Sequence, residues 1–345
     1  MEFAIGDLVS YTSYQVLIKL EGDPLNSIQD RKIITIMAIK LLEDYITLLR
    51  PLRLLCIAAY RKSSQCIDLV GFNTDLYADF IMTMFEVVFL QWRPFTLLNI
   101  KKLRLKSFAR LWKHNGEAMS TEMPGPTFQL LSQCKGVILD IGPGSGEMIA
   151  HFNPDLITAV YGAEPAEDLH PGLLRNAEKR GFGSKFHALL CGAQPESLIP
   201  ALHKSGILDV SGKGGLASDG IFDEICCTRV LCGVPHPEQT VKSLYGLLKP
   251  GGRMVICEHT VNPWRTEGSV VARFMQLVIT ILGWPFFMGG CELQRHTPDY
   301  LRDAGEWDKY DLKYYAPKDT IPFIVGELIK KDSGLEKSYA EAVKE

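Results

Sequence analysis

The stretch Val137-Ile-Leu-Asp-Ile-Gly-Pro-Gly-Ser-Gly-Glu147 sets three alternating glycines directly after a short apolar run. The apolar run has the length and composition of a buried strand, and we expect a helix after the glycines. Glycine has no Cβ, so Gly142, Gly144 and Gly146 permit a tight turn and let a ligand lie directly on the backbone. The pattern therefore predicts a strand, a bare turn and a helix N-terminus that together hold a ligand.

The spacing of the glycines restricts the class of ligand. Dinucleotide-binding loops have the pattern GxGxxG, whose third glycine packs under a pyrophosphate. Here the pattern is GxGxG, and Glu147 stands at the position of that third glycine. A carboxylate is unfavourable beside a diphosphate, so the loop suits a nucleoside with an amino-acid tail. Glu164 ends the next predicted strand, where a carboxylate can accept hydrogen bonds from both ribose hydroxyls.

From Gly136 onward, short apolar runs alternate with helical stretches, which predicts a parallel sheet with crossover helices. The predicted strands are Val137–Ile141, Thr158–Ala163, Lys185–Leu190, Phe222–Cys227, Arg253–Glu258, Tyr310–Tyr315 and Pro322–Ile329. No long helix separates the last two strands, so we expect them to pair antiparallel. The predicted fold is an α/β, Rossmann-like sheet of seven mostly parallel strands with the last strand antiparallel.

The sequence divides into a helical N-terminal extension at 1–115, a domain at 116–331 and a polar tail at 332–345. The extension contains an apolar segment at Ile33–Leu49 and another at Phe80–Leu90, which is too short and too polar for a membrane span. Asn99–Lys113 forms a basic amphipathic pattern. That pattern indicates either a membrane-surface element or an ordinary helix packed on the domain with a solvated basic face.

Composition excludes several classes of function. The net charge is −3, which gives no case for nucleic-acid binding. The nine cysteines include no CxxC pair, so the sequence predicts neither a zinc site nor a disulfide framework. The N-terminus lacks the pattern of a signal peptide, and we expect a reduced, intracellular setting.

Four motifs in this order resemble one enzyme family: LDIGPGSGE, AEP, FDEICCTRVLCGVPHPE and LLKPGGRMVICEH. Together they resemble the class I S-adenosylmethionine-dependent methyltransferases over roughly residues 115–330. The extension and the later motifs are most similar to membrane-associated thiol methyltransferases of the endoplasmic reticulum and lipid droplets, and also to natural-product O-methyltransferases. The resemblance implies S-adenosylmethionine as the cofactor, a small lipophilic acceptor methylated at oxygen or sulfur, and a peripheral or monotopic place on such a membrane, or otherwise the cytoplasm.

The resemblance also implies roles for individual residues. Asp140 and the backbone of Gly142–Gly146 would hold the methionine part of the cofactor, and Glu164 its ribose. The turn Cys191–Gln194 would flank the adenine, and Thr228 and Arg229 would lie beside the sulfonium. The cofactor residues assigned in this way are Asp140, Gly142, Gly144, Gly146, Glu164, Ala193, Gln194, Thr228 and Arg229.

Two histidines are candidates for a general base, because the pKa of imidazole lies near neutrality. His259 follows the fifth strand and His236 follows the fourth, although each can instead be a structural residue at a strand or helix end. The insert between strands five and six supplies side chains for an apolar acceptor pocket, namely Trp264, Trp284, Phe286, Phe287 and Met288. The same apolar stripe can instead belong to the core or face a membrane.

Two other functions remain open at this point. A methyltransferase fold can use its cofactor without catalysis or for a rearrangement, because fold does not fix function. A nucleotide-dependent oxidoreductase is the other alternative, and Glu147 together with the Pro250-Gly-Gly252 turn argues against it.

Overall fold

A computed structural model of the chain describes residues 80–90, 99–208 and 220–332. The predicted apolar segment Ile33–Leu49 and the tail beyond residue 332 lie outside these residues. Residues 80–85 are helical, and a π-helical turn, Glu86–Leu90, follows them. Within the described ranges no helix combines the length and apolarity needed to cross a bilayer.

The predicted sheet is confirmed. Its strands are β1 Gly136–Ile141, β2 Ile157–Ala163, β3 Phe186–Leu189, β4 Phe222–Thr228, β5 Leu248–His259, β6 Trp307–Tyr315 and β7 Phe323–Lys330. They lie in the order β3-β2-β1-β4-β5-β7-β6. Strand β7 pairs antiparallel with both β5 and β6, whereas β1 pairs parallel with β2 and β4. The strand order reverses at β1, so the ligand crevice of such a sheet opens at the carboxyl ends of β1 and β4.

Besides the helical residues 80–85, eight α-helices lie wholly within the described part of the chain. They are α1 Ile100–Ser120, α2 Thr127–Ser132, α3 His170–Lys179, α4 Pro195–Lys204, α5 Pro237–Leu247, α6 Val270–Ile281, α7 Trp284–Phe287 and α8 Thr297–Arg302. Helix α1 is capped at its N-terminus by Asn99, whose side chain accepts a hydrogen bond from the Lys102 N–H at 3.0 Å. It continues through residue 115, where the sequence places the boundary of the domain.

Alternating residues of the central strands divide the core into two layers, because successive side chains of a strand point to opposite faces. Leu139 of β1 and Ile225 of β4 pack with α4, α5 and α8 on one face. Ile138 and Cys226 pack with α2 and α3 on the other face. Burial on both faces fixes the register, and with it the position of each strand end.

The helix expected after the glycines is much shorter than the sequence predicts. A single 3-10 turn, Met148–His151, follows the loop, and Phe152 is already extended. Pro154 lies just beyond, and a proline disfavours helical geometry at the residue before it. The prediction of a helix N-terminus of ordinary length at this loop is therefore wrong.

Candidate active site

A cavity of about 630 Å³ lies at the carboxyl ends of β1, β2, β4 and β5. The glycine loop, Glu164 and the turn Gly192–Gln194 line one part of it, and α1 lies across it with Leu105, Phe108 and Trp112. Residues of α7 and of the β6–β7 connection complete the wall. The cavity therefore joins a polar, backbone-rich end to an end lined by apolar and sulfur-containing side chains.

The glycine loop is shaped by conformations that favour glycine. Gly142, Gly144 and Gly146 all have positive φ angles, of 64°, 61° and 89°. A Cβ on Gly142 would lie 2.6 Å from Val230 Cγ2, and one on Gly144 would overlap the indole nitrogen of Trp112. The loop thus presents bare backbone to the cavity at Gly142 and Gly144, as a closely approaching ligand requires.

Glu164 is almost fully buried at the end of β2, and its carboxylate faces the cavity. Its Oε2 accepts a hydrogen bond from the Gly144 N–H at 3.0 Å, and its Oε1 accepts one from the Ala166 N–H at 2.8 Å. Burial nevertheless raises the pKa of this carboxyl to about 7, against the effect of the two backbone donors. Each carboxylate oxygen keeps a lone pair for a hydroxyl group of a ligand.

The cavity brings together seven of the nine predicted cofactor residues, namely Gly142, Gly144, Glu164, Ala193, Gln194, Thr228 and Arg229. Asp140 and Gly146 do not line it. Asp140 is buried behind the loop, burial raises the pKa of its carboxyl to about 7, and its Oδ2 has no hydrogen-bond partner among the described residues. Gly146 borders a separate polar cleft instead.

Arg229 has its guanidinium engaged by the protein. It donates from Nη1 to the Met119 carbonyl and from Nη2 to Ser120 Oγ, both at 2.7 Å, and lies 5.1 Å from the centre of the Trp112 ring system. Its φ of 57° turns the chain sharply after β4. Its contacts attach the end of α1 to the sheet, so α1 stays closed over the cavity.

The two candidate histidines occupy different places. His259 is the last residue of β5 and lines the cavity, with its Nδ1 3.4 Å from Cys291 Sγ and its ring against Phe323. His236 is exposed, precedes α5 with a φ of 45° and does not line the cavity. The geometry places only His259 where a general base could contact an acceptor.

Fewer residues of the insert line the apolar part of the cavity than the sequence predicts. Trp284 and Met288 line it, whereas Trp264 is 42% exposed on the surface. Phe286 and Phe287 pack against Phe80. Phe108 and Trp112 of α1 were not assigned to the site from the sequence, although their spacing along one helix face is the signal for them.

The proximity of two cysteines in the cavity was also not predicted from the sequence. Cys232 lies in the loop after β4 and Cys291 follows α7, and both are buried beside His259. A hydrogen bond from Cys232 and the nearby His259 lower the pKa of the Cys291 thiol. The hydrogen bond and burial raise the pKa of Cys232. The two neighbouring thiols at the apolar end therefore differ in pKa, with Cys291 the more acidic of the two.

The charged residues of α1 are partly paired with other elements. Lys106 contacts Asp168 at 3.0 Å, and Arg110 contacts Glu86 at 2.7 Å. Leu103 and Leu111 are buried against the domain. Helix α1 thus packs on the domain with its apolar residues, while Lys101, Lys102 and Lys113 are exposed.

Known proteins share parts of this sequence. A thiol S-methyltransferase, TMT1B of Rattus norvegicus, is 26% identical over 33% of this chain and 46% of its own length. The thiol S-methyltransferase TMT1A of Homo sapiens is 32% identical over the same shares. The match thus spans about half the length of these relatives. A solved O-methyltransferase family protein from Burkholderia thailandensis aligns with a TM-score of 0.40 and 14% identity, over 73% of this chain and 72% of that one.

The family model described as "Methyltransferase domain" matches residues 100–311, from the start of α1 into β6. This segment covers more than half of the chain and contains the glycine loop, Glu164 and strands β1 to β5. The chain therefore belongs to the methyltransferase domain family, with the fold of the class I S-adenosylmethionine-dependent methyltransferases.

Proposed function

We propose that the protein transfers a methyl group from S-adenosylmethionine to the oxygen or sulfur of a small lipophilic molecule. One observation carries the proposal: a single cavity has bare glycine backbone and the Glu164 carboxylate at one end and apolar side chains at the other. The first end suits a nucleoside with an amino-acid tail, and the second suits a flat or aliphatic acceptor.

The residues present fit this cofactor. The loop backbone at Gly142 and Gly144 allows close approach, and a Cβ at either position would meet a neighbouring side chain. Glu164 would bind the ribose hydroxyls, and the turn Gly192–Gln194 would flank the base. When bound, S-adenosylmethionine supplies an electrophilic methyl group on a good leaving group, so the chemical demand on the protein is modest.

The protein's own contribution is to position the acceptor, exclude water and accept a proton. Helix α1 covers the cavity, and Arg229 keeps its end attached to β4. Trp284, Met288 and Phe108 surround an apolar acceptor. His259 would take the proton of a phenol or thiol, because it is the histidine that lines the cavity.

Calorimetry and a labelled-methyl assay together test this function. We expect heat of binding with S-adenosylhomocysteine, and transfer of labelled methyl to members of a panel of thiols, phenols and carboxylic acids. Binding without transfer to any class would favour a non-catalytic or rearrangement role. Binding of a pyridine dinucleotide, with no heat from S-adenosylhomocysteine, would favour an oxidoreductase and overturn the proposal.

We also propose that α6 touches a membrane surface. Ser269 caps the helix, and one face of it is exposed although it is strongly apolar. The exposed side chains are Val270, Val271, Phe274, Leu277, Ile281 and Leu282. A contiguous apolar face of this kind on a helix indicates contact with lipid or protein, and lipid would also supply a lipophilic acceptor.

Vesicle flotation tests the membrane contact. We expect the protein to float with phosphatidylcholine–phosphatidylserine vesicles, and a Val271→Ser/Phe274→Ser variant to float less at unchanged thermal stability. Equal flotation of both proteins would remove α6 from the contact. Absence of flotation by the unaltered protein would remove the membrane from the proposal.

A further inference from the structure

Three potential metal ligands converge at the apolar end of the cavity. Cys232 Sγ, a ring nitrogen of His259 and Cys291 Sγ all lie within 4.8 Å of one another. The two cysteines are 3% and 5% exposed, and His259 is half-buried. All three side chains line the cavity, so one side of the cluster packs against the protein and the other side faces the cavity.

The backbone holds this cluster in place from several directions. The Glu292 N–H donates to the Cys232 carbonyl at 2.9 Å, which ties the segment of one cysteine to that of the other. Arg295 donates from Nη1 to the carbonyls of Leu231 and Val234, on either side of Cys232. Because its surroundings are fixed, the cluster is preorganised rather than assembled by a ligand.

The separation of Cys291 and His259 is close to that of two ligands in a tetrahedral zinc site. Zinc binds sulfur at about 2.3 Å and imidazole nitrogen at about 2.0–2.1 Å, so two ligands at tetrahedral positions lie about 3.5–3.8 Å apart. The separation of Cys291 Sγ from His259 Nδ1 is 3.4 Å, close to that range. Two thiolates and a neutral imidazole also cancel the charge of a divalent cation, which removes much of the cost of burying the ion.

We propose that Cys232, His259 and Cys291 bind a Zn²⁺ ion through three protein ligands and leave its fourth position facing the cavity. Sites with three protein ligands and an open position are the pattern of reactive zinc centres, whereas structural sites use four. Nothing in the sequence marks this site as a motif, since its ligands come from three separate segments.

A second pair of buried cysteines shows what distinguishes the proposed site. Cys134 Sγ and Cys226 Sγ lie 3.7 Å apart within the core, as close as two zinc ligands would. Among the described residues no histidine or carboxylate joins them as a third ligand, and neither lines the cavity. This pair therefore serves as a matched control for any effect of removing a buried thiol.

The open position selects an acceptor class. This part of the inference rests on the proposed function. With zinc bound, His259 is a ligand rather than the general base, and the metal ion takes over activation of the acceptor. A thiol in the fourth position would bind as the thiolate: its S–H bond would break, a Zn–S bond would form and the proton would pass to solvent or to buffer. A thiolate held there would lie inside the same cavity as the glycine loop. The site therefore favours methyl transfer to sulfur over transfer to oxygen.

Metal binding is measured on the full chain, without methyl donor or acceptor. Cys56→Ser/Cys66→Ser serves as the background, because these cysteines lie outside the described residues. We expect about one equivalent of Zn²⁺ per chain by mass spectrometry of the metal, and thiolate-to-metal charge-transfer absorption with Co²⁺. Cys291→Ser and Cys232→Ser should each raise the Kd by more than about 100-fold, since loss even of outer-sphere partners costs about 10- to 100-fold.

The controls separate this site from its alternatives. Cys134→Ser should retain the full metal stoichiometry, and each variant should keep the far-ultraviolet circular dichroism and cooperative thermal unfolding of the background protein, which shows that it is folded. Equal metal affinity in Cys291→Ser and the background would overturn the proposal, as would a Cys232–Cys291 disulfide in the protein as purified. Metal binding without methyl transfer would leave the site in place and count against the proposed function alone.

A thiol probe tests the acceptor class. Benzyl mercaptan should shift the absorption of the Co²⁺-loaded protein, whereas benzyl alcohol should not. An unchanged spectrum with the thiol would overturn the assignment of the open position to a thiol acceptor.

Discussion

Gly144 lines the cavity at a position where an added Cβ would collide with a neighbouring side chain. Its φ is +61°, and a Cβ there would overlap the Trp112 indole nitrogen. We expect Gly144→Val to abolish binding of S-adenosylhomocysteine, because the side chain would fill the space where a ligand meets the backbone. Calorimetry measures the loss.

The control for Gly144→Val is Gly246→Ala. Gly246 lies in α5, and a Cβ there would meet nothing within 4 Å. We expect this variant to bind normally and to be more stable by about 0.5–1 kcal/mol, as alanine is in a helix interior. Normal binding by Gly144→Val would show that the ligand does not lie on this loop.

We expect Glu164 to make the affinity for S-adenosylhomocysteine depend on pH. Burial raises the pKa of its carboxyl to about 7 in the free protein. Ribose hydroxyls donate to the ionised form, so binding lowers that pKa and releases a proton. Affinity for S-adenosylhomocysteine should therefore fall as pH falls through 7, by at most about tenfold per pH unit, and level off above it.

Calorimetry across this pH range, in buffers of different ionisation enthalpy, measures both the affinity and the released proton. Glu164→Gln should bind more weakly at neutral pH and lose the pH dependence. A Kd that stays constant from about pH 5.5 to 8 in the unaltered protein would contradict a role for an ionised Glu164 in binding.

Residues that belong to local patterns could be predicted from the sequence, whereas residues that meet only in three dimensions could not. Gly144 and Glu164 follow directly from a strand, a turn and the next strand end. Cys232, His259 and Cys291 come from three segments, and their meeting depends on the backbone hydrogen bond between Glu292 and Cys232. A search for short cysteine motifs does not detect such a cluster.

At the scale of elements, the periodicity of the sequence predicts some properties of α1 and not others. Its helical pattern and basic character were predictable from Asn99–Lys113. The surface that α1 covers was not predictable, because the pattern does not say which part of the domain its apolar side chains contact. Lys106 and Arg110 pair with Asp168 and Glu86, so part of the basic face binds other elements of the protein.

Arg229 should control the attachment of α1. Arg229→Ala would leave the Met119 carbonyl and Ser120 Oγ without their guanidinium donor. We expect the free energy of unfolding to fall by about 1.5–3 kcal/mol, the range for hydrogen bonds to a charged group. Denaturant titration measures it, and hydrogen exchange should rise in the last turns of α1.

Arg302→Ala is the surface control for this change. Arg302 pairs with Asp299 on the exposed side of α8, and both side chains are more than half exposed. Such pairs contribute about 0–1 kcal/mol. If Arg229→Ala and Arg302→Ala had the same small effect, or if exchange in α1 did not change, Arg229 would not be the anchor of the helix.

At the scale of the whole molecule, we expect stability and ligand binding to depend on opposite ends of the sheet. The cavity lies at the carboxyl ends of the strands, while a buried charge network lies toward their other ends. Arg253 of β5 contacts Glu224 of β4 at 2.7 Å and Glu327 of β7 at 2.9 Å, and donates to the Leu130 carbonyl of α2. One guanidinium therefore joins three strands and a helix.

Arg253→Met should lower the free energy of unfolding by about 3–5 kcal/mol, because it leaves the buried Glu224 carboxylate unpaired. Adding Glu224→Gln should restore part of the loss, since a neutral amide oxygen can still accept from the Lys135 N–H. Denaturant titration of Arg253→Met and of the double variant measures the two changes in the free energy of unfolding. Affinity for S-adenosylhomocysteine should remain within about twofold of the unaltered protein in each variant, because two sites without shared partners contribute independently. A parallel loss of stability and affinity would mean instead that the network at one end of the strands holds the cavity at the other end in shape.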